Sequence, residues 1–142
     1  MRAGGGALAY VGVALRELRA YRAMRVAIDG GEMRPTLILA VANGRHFGGA
    51  FAIAPWAAID DGLLDLVHIG DMPTLARIPL LASAVAGRHL QHRAVTHQAV
   101  REAVLRFEAP PVFEADGELH QAMGAEVQVT VVPRALRLVA PP

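Results

Sequence analysis

The residues whose types and spacing could do chemistry fall in two places. Residues 43–65 read NGRHFGGAFAIAPWAAIDDGLLD. Asn43-Gly44 and Gly48-Gly49 supply backbone positions that tolerate positive φ, so the chain there can turn tightly and approach another group closely. Asp60-Asp61-Gly62 sets adjacent carboxylates beside a glycine, a donor set that could offer oxygen ligands to a hard cation such as magnesium. The same residues also fit two ordinary turns between strands, and residue type alone leaves both readings open. The second place is Asp116-Gly117-Glu118, a tight turn leading out of a strand. Taken alone it reads as a hairpin with a solvated glutamate.

His89, His92 and His97 fall within nine residues and raise the question of zinc. No cysteine accompanies them and no HExxH pattern is present, so solvated or hydrogen-bonded imidazoles are the expectation. His46, His68 and His120 stand alone and are read in the same way. Gly4-Gly5-Gly6 has the look of a phosphate loop but lacks a following lysine or Asp-Gly-Thr.

These groups must be positioned by a core, and the composition supplies one. The 142 residues fit a single domain, 54% hydrophobic and 19% charged, which excludes disorder. A net charge of +1 with no run of lysine or arginine argues against nucleic acid as a partner. The absence of cysteine rules out a disulfide framework and fits a cytoplasmic protein. The apolar N-terminus is followed at once by Arg16, Glu17 and Arg19, against a signal peptide, and no uncharged stretch is long enough to span a membrane.

The periodicity predicts mostly strands. Leu8, Val11, Leu15 and Leu18 recur at helical spacing, giving an amphipathic helix over residues 7–23. Residues 24–28 and 36–42 form a hairpin around Asp29-Gly30-Gly31, and residues 48–55 and 63–69 give two more strands. A second helix opens at Asp71-Met72-Pro73-Thr74 with an aspartate or threonine N-cap. It packs through Leu75, Ile78, Leu81, Ala82 and Val85, and stops at Gly87. Strands follow over residues 100–107, 112–115, 126–132 and 134–139. In the third of these, Val127, Val129 and Val131 alternate with polar residues. The expected fold is mainly β (α+β): an antiparallel β-sandwich with one N-terminal and one inserted helix.

The order of the motifs carries further information. NGRHFGG, AP followed by DDGLLD, a helix ending in GRH, then DGE, then PRALRL succeed one another. That order resembles the C-terminal domain of the diacylglycerol kinase and sphingosine kinase superfamily, particularly its bacterial lipid kinases, from about Gly6 onward. The resemblance implies a β-sandwich domain that completes a catalytic cleft with an N-terminal ATP-binding domain carrying GGDGT. That motif is absent here, so the chain is expected to be the C-terminal part alone and inactive by itself.

By the same resemblance Glu118 is the general base that takes the proton from a lipid hydroxyl, with Asp116 and Gly117 shaping its turn. A hydroxyl is a poor nucleophile, and phosphoryl transfer depends on orienting it in line with the γ-phosphate. Asp61 and the backbone carbonyls of Ala58 and Leu63 match the family's structural Mg²⁺ site. Asn43, Gly44 and Arg45 would line the interdomain cleft, where His46 replaces the tyrosine more often expected. The implied partners are ATP, a lipid alcohol, the missing nucleotide domain and a membrane surface touched peripherally. An apolar face left by that domain could also drive homo-oligomerisation. Two other readings stand beside this one: a non-catalytic β-sandwich that binds lipid or a partner, and part of an NAD-kinase-like enzyme. DDGLLD and PRALRL favour the lipid branch over the latter.

Overall fold

The computed structural model describes residues 21–47 and 51–136. The helix expected over residues 7–23 lies outside that set, apart from Tyr21, Arg22 and Ala23, which are not helical. Gly48-Gly49 and residues 137–139 lie outside it as well.

Eight strands are present among the described residues: β1 (Met24–Ile28), β2 (Arg34–Ala42), β3 (Leu64–Gly70), β4 (Val95–Val100), β5 (Glu102–Phe107), β6 (Val112–Ala115), β7 (Glu118–Gln121) and β8 (Glu126–Thr130). One α-helix, α1 (Thr74–Val85), and a short 3-10 helix (His89–Gln91) lie between β3 and β4. The β1–β2 hairpin forms as the glycine turn demands. Asp29 and Gly30 take φ of 49° and 74°, and the Gly31 N–H donates to the Ile28 carbonyl at 2.9 Å.

Six strands make one antiparallel sheet in the order β4-β3-β2-β1-β5-β8, and β6-β7 form a separate two-stranded sheet. Only Arg101 separates β4 from β5, yet β5 lies four places across the sheet from β4. Four strand spacings of a flat sheet cover about 19 Å, whereas two residues reach about 7 Å at most. The sheet must therefore curl back on itself. Its concave interior collects Val26, Leu66, Ala103 and Leu105, with Ile28, Leu39, Val100, Phe107, Val127 and Val129 packed around them. The opposite face of β2, β3 and β4 carries Leu37, Val67, Ile69 and Val95, covered by Leu80 of α1 and by Ile53, Ala54 and Ala57. Two apolar layers on a curled sheet give the β-rich, sandwich-like α+β fold that the strand pattern predicts.

Several expectations need correction. Residues 100–107 are not one strand: the chain bends at Arg101, and the unpredicted β4 precedes it. Residues 51–55 are not a strand, because Phe51 makes only an isolated bridge to Phe47 and Ile53 and Ala54 bury themselves as loop. Arg134, Ala135 and Leu136 do not continue as a strand.

In α1 the buried residues are Arg77, Leu80 and Ala84, whereas Leu75, Ile78 and Val85 are exposed. The helix is apolar on more than one side, and the side that faces the sheet is the one with room for the Arg77 guanidinium. No side chain caps its start; Asp71 Oδ1 instead accepts from the Met72 N–H at 2.8 Å. Gly87 does terminate it. At φ +67° it lets the Gly87 N–H reach the Ala84 carbonyl and the Arg88 N–H the Ser83 carbonyl, the paired closing bonds of a left-handed C-terminus.

Candidate functional site

Residues 43–63 are a single connection between the adjacent strands β2 and β3. A connection of that length within a compact fold has to be held by its own bonds. Phe47 and Phe51 exchange backbone hydrogen bonds at 2.8 and 3.1 Å. The Ala54 N–H donates to the Arg45 carbonyl at 3.2 Å, and Arg45 Nε donates to the Ala57 carbonyl at 3.1 Å. Arg45 thus ties the NGR turn to the segment that leads into Ala58 and the acidic turn. Asn43 and Gly44 precede it directly, at the end of β2.

The far side of the connection is held by the GRH segment after α1. The Ala52 N–H donates to the Ala84 carbonyl at 3.0 Å. A β-carbon at Gly87 would lie 3.1 Å from Pro55 Cγ and 3.4 Å from Ala52 Cβ, so glycine is required there for packing as well as for its φ. His89 is fully buried, and its Nε2–H donates to the Ile53 carbonyl at 3.0 Å. That bond fixes the neutral tautomer with Nδ1 bare, and Nδ1 has no hydrogen-bond partner. Burial pushes the imidazole pKa below its usual 6.5, with the bond to Ile53 acting in the opposite direction. His89 is a structural clamp on the loop.

At the acidic turn, Asp61 Oδ1 accepts from the Leu63 N–H at 2.9 Å, and Gly62 takes φ +74°. Asp60 and Asp61 are exposed. Pro133 of the PRALRL motif packs beside Gly62, which brings two motifs distant in sequence into contact. Asp61 keeps its second carboxylate oxygen for a ligand, and backbone carbonyls at Ala58 and Leu63 are of the hard-oxygen type that magnesium takes, so the donor set fits. Among the described residues no group of three histidine, cysteine, aspartate or glutamate side chains could hold a metal, and the three clustered histidines are no exception. His92 Nδ1 accepts from the Ala94 N–H at 3.2 Å instead.

Sequence reasoning missed one polar pair beside this loop. Asp65 is buried on β3, and His97 Nε2 on β4 donates to its Oδ1 at 2.5 Å. The Trp56 ring lies 5.8 Å from the His97 ring at a tilt of 54° and is itself exposed. The signal was available: Asp65 shares the inward parity of Val67 and Ile69, and a carboxylate on a buried parity demands a partner.

Glu118 sits elsewhere. Asp116 and Gly117, at φ 51° and 92°, make the two-residue turn of the β6–β7 hairpin, and Glu118 opens β7 opposite Ala115. Two residues on, His120 pairs with Phe113, their rings stacked with centroids 5.5 Å apart. Strand parity puts that stack on the same face as Glu118. All eight strand residues of the hairpin are exposed. No hydrogen bond or ion pair among the described residues joins Glu118 to the acidic turn or to Asn43, Gly44 and Arg45.

The α1 region and the remainder of the chain carry no helix, among the described residues, long and apolar enough to cross a membrane. Residues 1–140 match the family described as YegS C-terminal NAD kinase beta sandwich-like domain. The chain is 27% identical over 141 residues to a probable lipid kinase YegS-like of Shewanella frigidimarina, covering 98% of this chain and 44% of that protein. A probable lipid kinase YegS-like of Xanthomonas euvesicatoria is 29% identical, with 96% and 45% covered. The chain therefore spans a little under half the length of these relatives. Among solved structures, two of putative diacylglycerol kinases from Bacillus anthracis share the fold, with TM-scores of 0.59 and 0.62 at 17% and 18% identity. They cover 94% and 87% of this chain and 47% and 42% of their own. The chain belongs to the YegS C-terminal NAD kinase beta sandwich-like domain family.

Proposed function

We propose that this domain is the acceptor-activating half of an ATP-dependent lipid kinase, with Glu118 as its general base. The observation that carries the reading is the β6–β7 turn. Asp116 and Gly117 hold positive φ and present Glu118 at the first position of β7, so the point at which its side chain leaves the backbone is fixed by the turn. In the reaction the lipid hydroxyl oxygen attacks the γ-phosphorus, the bond from that phosphorus to the β-phosphate oxygen breaks, and Glu118 takes the hydroxyl proton. The aromatic ledge of Phe113 and His120 on the same face offers an apolar surface next to the reacting hydroxyl.

Nucleotide binding falls to a GGDGT domain outside this chain, and the chain alone is expected to be inactive. Asp61, with the carbonyls of Ala58 and Leu63, would hold a magnesium ion whose charge pins the acidic turn. Asn43, Gly44 and Arg45 would then border the interdomain cleft, with contact to the membrane peripheral.

The test is ATP-dependent phosphate transfer to a panel of lipid alcohols by a protein that joins this domain to its nucleotide-binding half. Glu118→Gln is expected to lower kcat at least 100-fold with the melting temperature unchanged. A near wild-type rate in that variant would refute the base assignment. Absence of phosphorylation of every alcohol in the panel would favour a non-catalytic binding role.

A further inference from the structure

A cavity of about 470 Å³ opens at the end of β3 away from the acidic turn, lined by Arg34, His68, Gly70, Asp71, Arg93 and Thr96 among others. It adjoins a second cavity of about 370 Å³, and Arg34, His68 and Thr96 line both. The second is lined by both apolar and polar residues, Val26, Ile28 and Leu66 beside Asp29, Glu32 and Gln98.

The charges in the first cavity are unequally committed. Asp71 Oδ1 is already taken by the buried Arg77, whose Nη2 donates to it at 2.8 Å, and by the Met72 N–H. Neither Arg34 nor Arg93 is paired with a carboxylate among the described residues. Both sit on fixed backbone. The Arg34 carbonyl accepts from the Thr36 hydroxyl at 3.0 Å. The turn bearing Arg93 is closed by the His92 ring and by the Val95 N–H bond to the His92 carbonyl at 2.9 Å. Because the Thr36 hydroxyl donates to Arg34, it accepts from His68 Nε2 at 2.9 Å, which leaves His68 Nδ1 bare in the neutral ring. Burial, with the Arg34 charge adding to it, holds the His68 pKa below 6.5.

We infer that this cavity binds a phosphate group, with the Arg34 and Arg93 guanidiniums as its cationic walls and the Thr96 hydroxyl as a neutral donor. Guanidiniums match phosphate oxygens in geometry and keep their charge at all working pH values. The phosphate could be free or the head of a lipid monoester. The inference rests on the cavity and is independent of the kinase reading.

The test uses the 142-residue chain, titrated with inorganic phosphate and, separately, with dioctanoyl phosphatidic acid below its micelle concentration, against chloride at matched ionic strength. Amide and side-chain NMR shifts of the wild type locate binding without any substitution. Saturable shifts at Gly70, Ala94, Thr96 and the His68 ring are expected. Arg34→Gln/Arg93→Gln should weaken binding at least tenfold, whereas Arg88→Gln, outside the cavity, should not. Similar affinity for both probes identifies free phosphate as sufficient; tenfold tighter binding of the lipid identifies a lipid monoester as the ligand. No saturable shifts with either probe, shifts elsewhere on the surface, or a double variant that binds like wild type would each overturn the inference.

Discussion

His89→Leu tests whether the buried imidazole clamps the β2–β3 connection as a neutral donor. The substitution nearly conserves volume, so its main effect is chemical: the Ile53 carbonyl loses the donor that reaches it at 3.0 Å. Leaving a buried carbonyl unsatisfied costs about 1–3 kcal/mol, and removal of the bare Nδ1 returns part of that. A net loss of about 1–2 kcal/mol is expected at pH 7.5. The loss should shrink in acid. His89 has a folded pKa below 6.5, so the unfolded chain binds more protons, and the contribution of His89 is whole above pH 6.5 and falls as pH drops toward the folded value. A histidine that binds its proton less readily in the folded than in the unfolded chain takes stability from the fold as pH drops below 6.5. The variant has no such group and loses nothing from this source. Urea unfolding from pH 7.5 to 5.5, with far-UV circular dichroism as the readout, should therefore show the gap between wild type and variant narrowing. A gap that stays constant across that range would refute the neutral-donor assignment, whatever its size.

Gly87→Ala should destabilise by about 1–3 kcal/mol, because a left-handed φ is added to a β-carbon 3.1 Å from Pro55 Cγ; a change under about 0.5 kcal/mol in urea would show that neither constraint acts. Asp65→Asn should cost about 1.5–3 kcal/mol by removing the ionised acceptor of the His97 bond. Trp56 is the single tryptophan and lies on the His97 ring, so its fluorescence should change in that variant while the fold persists; unchanged emission would separate the pair from the indole. On the proposed magnesium role, millimolar Mg²⁺ should raise the melting temperature of the wild type and not of Asp61→Ala. Equal shifts in both would exclude Asp61 as a ligand.

How far the sequence foretold this structure depends on which residues had an unambiguous pattern. Val127 and Val129 alternate with Glu126, Gln128 and Thr130, and β8 follows that alternation. The Asp29-Gly30 and Asp116-Gly117 turns were legible because few other residues adopt positive φ cheaply. The strand β4, VTHQAV, was not legible, since its apolar side is interrupted by His97, which is there to serve Asp65 on the neighbouring strand. In α1 the apolar stripe through Leu75, Ile78 and Val85 is real but faces outward. Arg77 turns the helix the other way, its Nε and Nη1 donating to the Met72 and Tyr21 carbonyls at 3.0 and 3.1 Å. An arginine used as a buried donor looks the same in sequence as one used for solubility.

The motif order identified the domain, yet it concealed how the motifs depend on one another. His89 acts on Ile53 across 36 positions, Gly87 makes room for Pro55, and Pro133 closes on Gly62. The GRH segment is thus part of the specification of the β2–β3 connection, although it contributes no group to the proposed chemistry. It follows that substitutions at Gly87 or His89 in an assembled enzyme should act through displacement of Arg45 and the acidic turn. Glu118 stands on a hairpin whose own turn sets it, with no described bond to that connection. A loss of activity at Gly87 or His89 should therefore accompany a loss of stability, whereas a loss at Glu118 should not, and the two classes of residue are separable by measuring both quantities on the same variants.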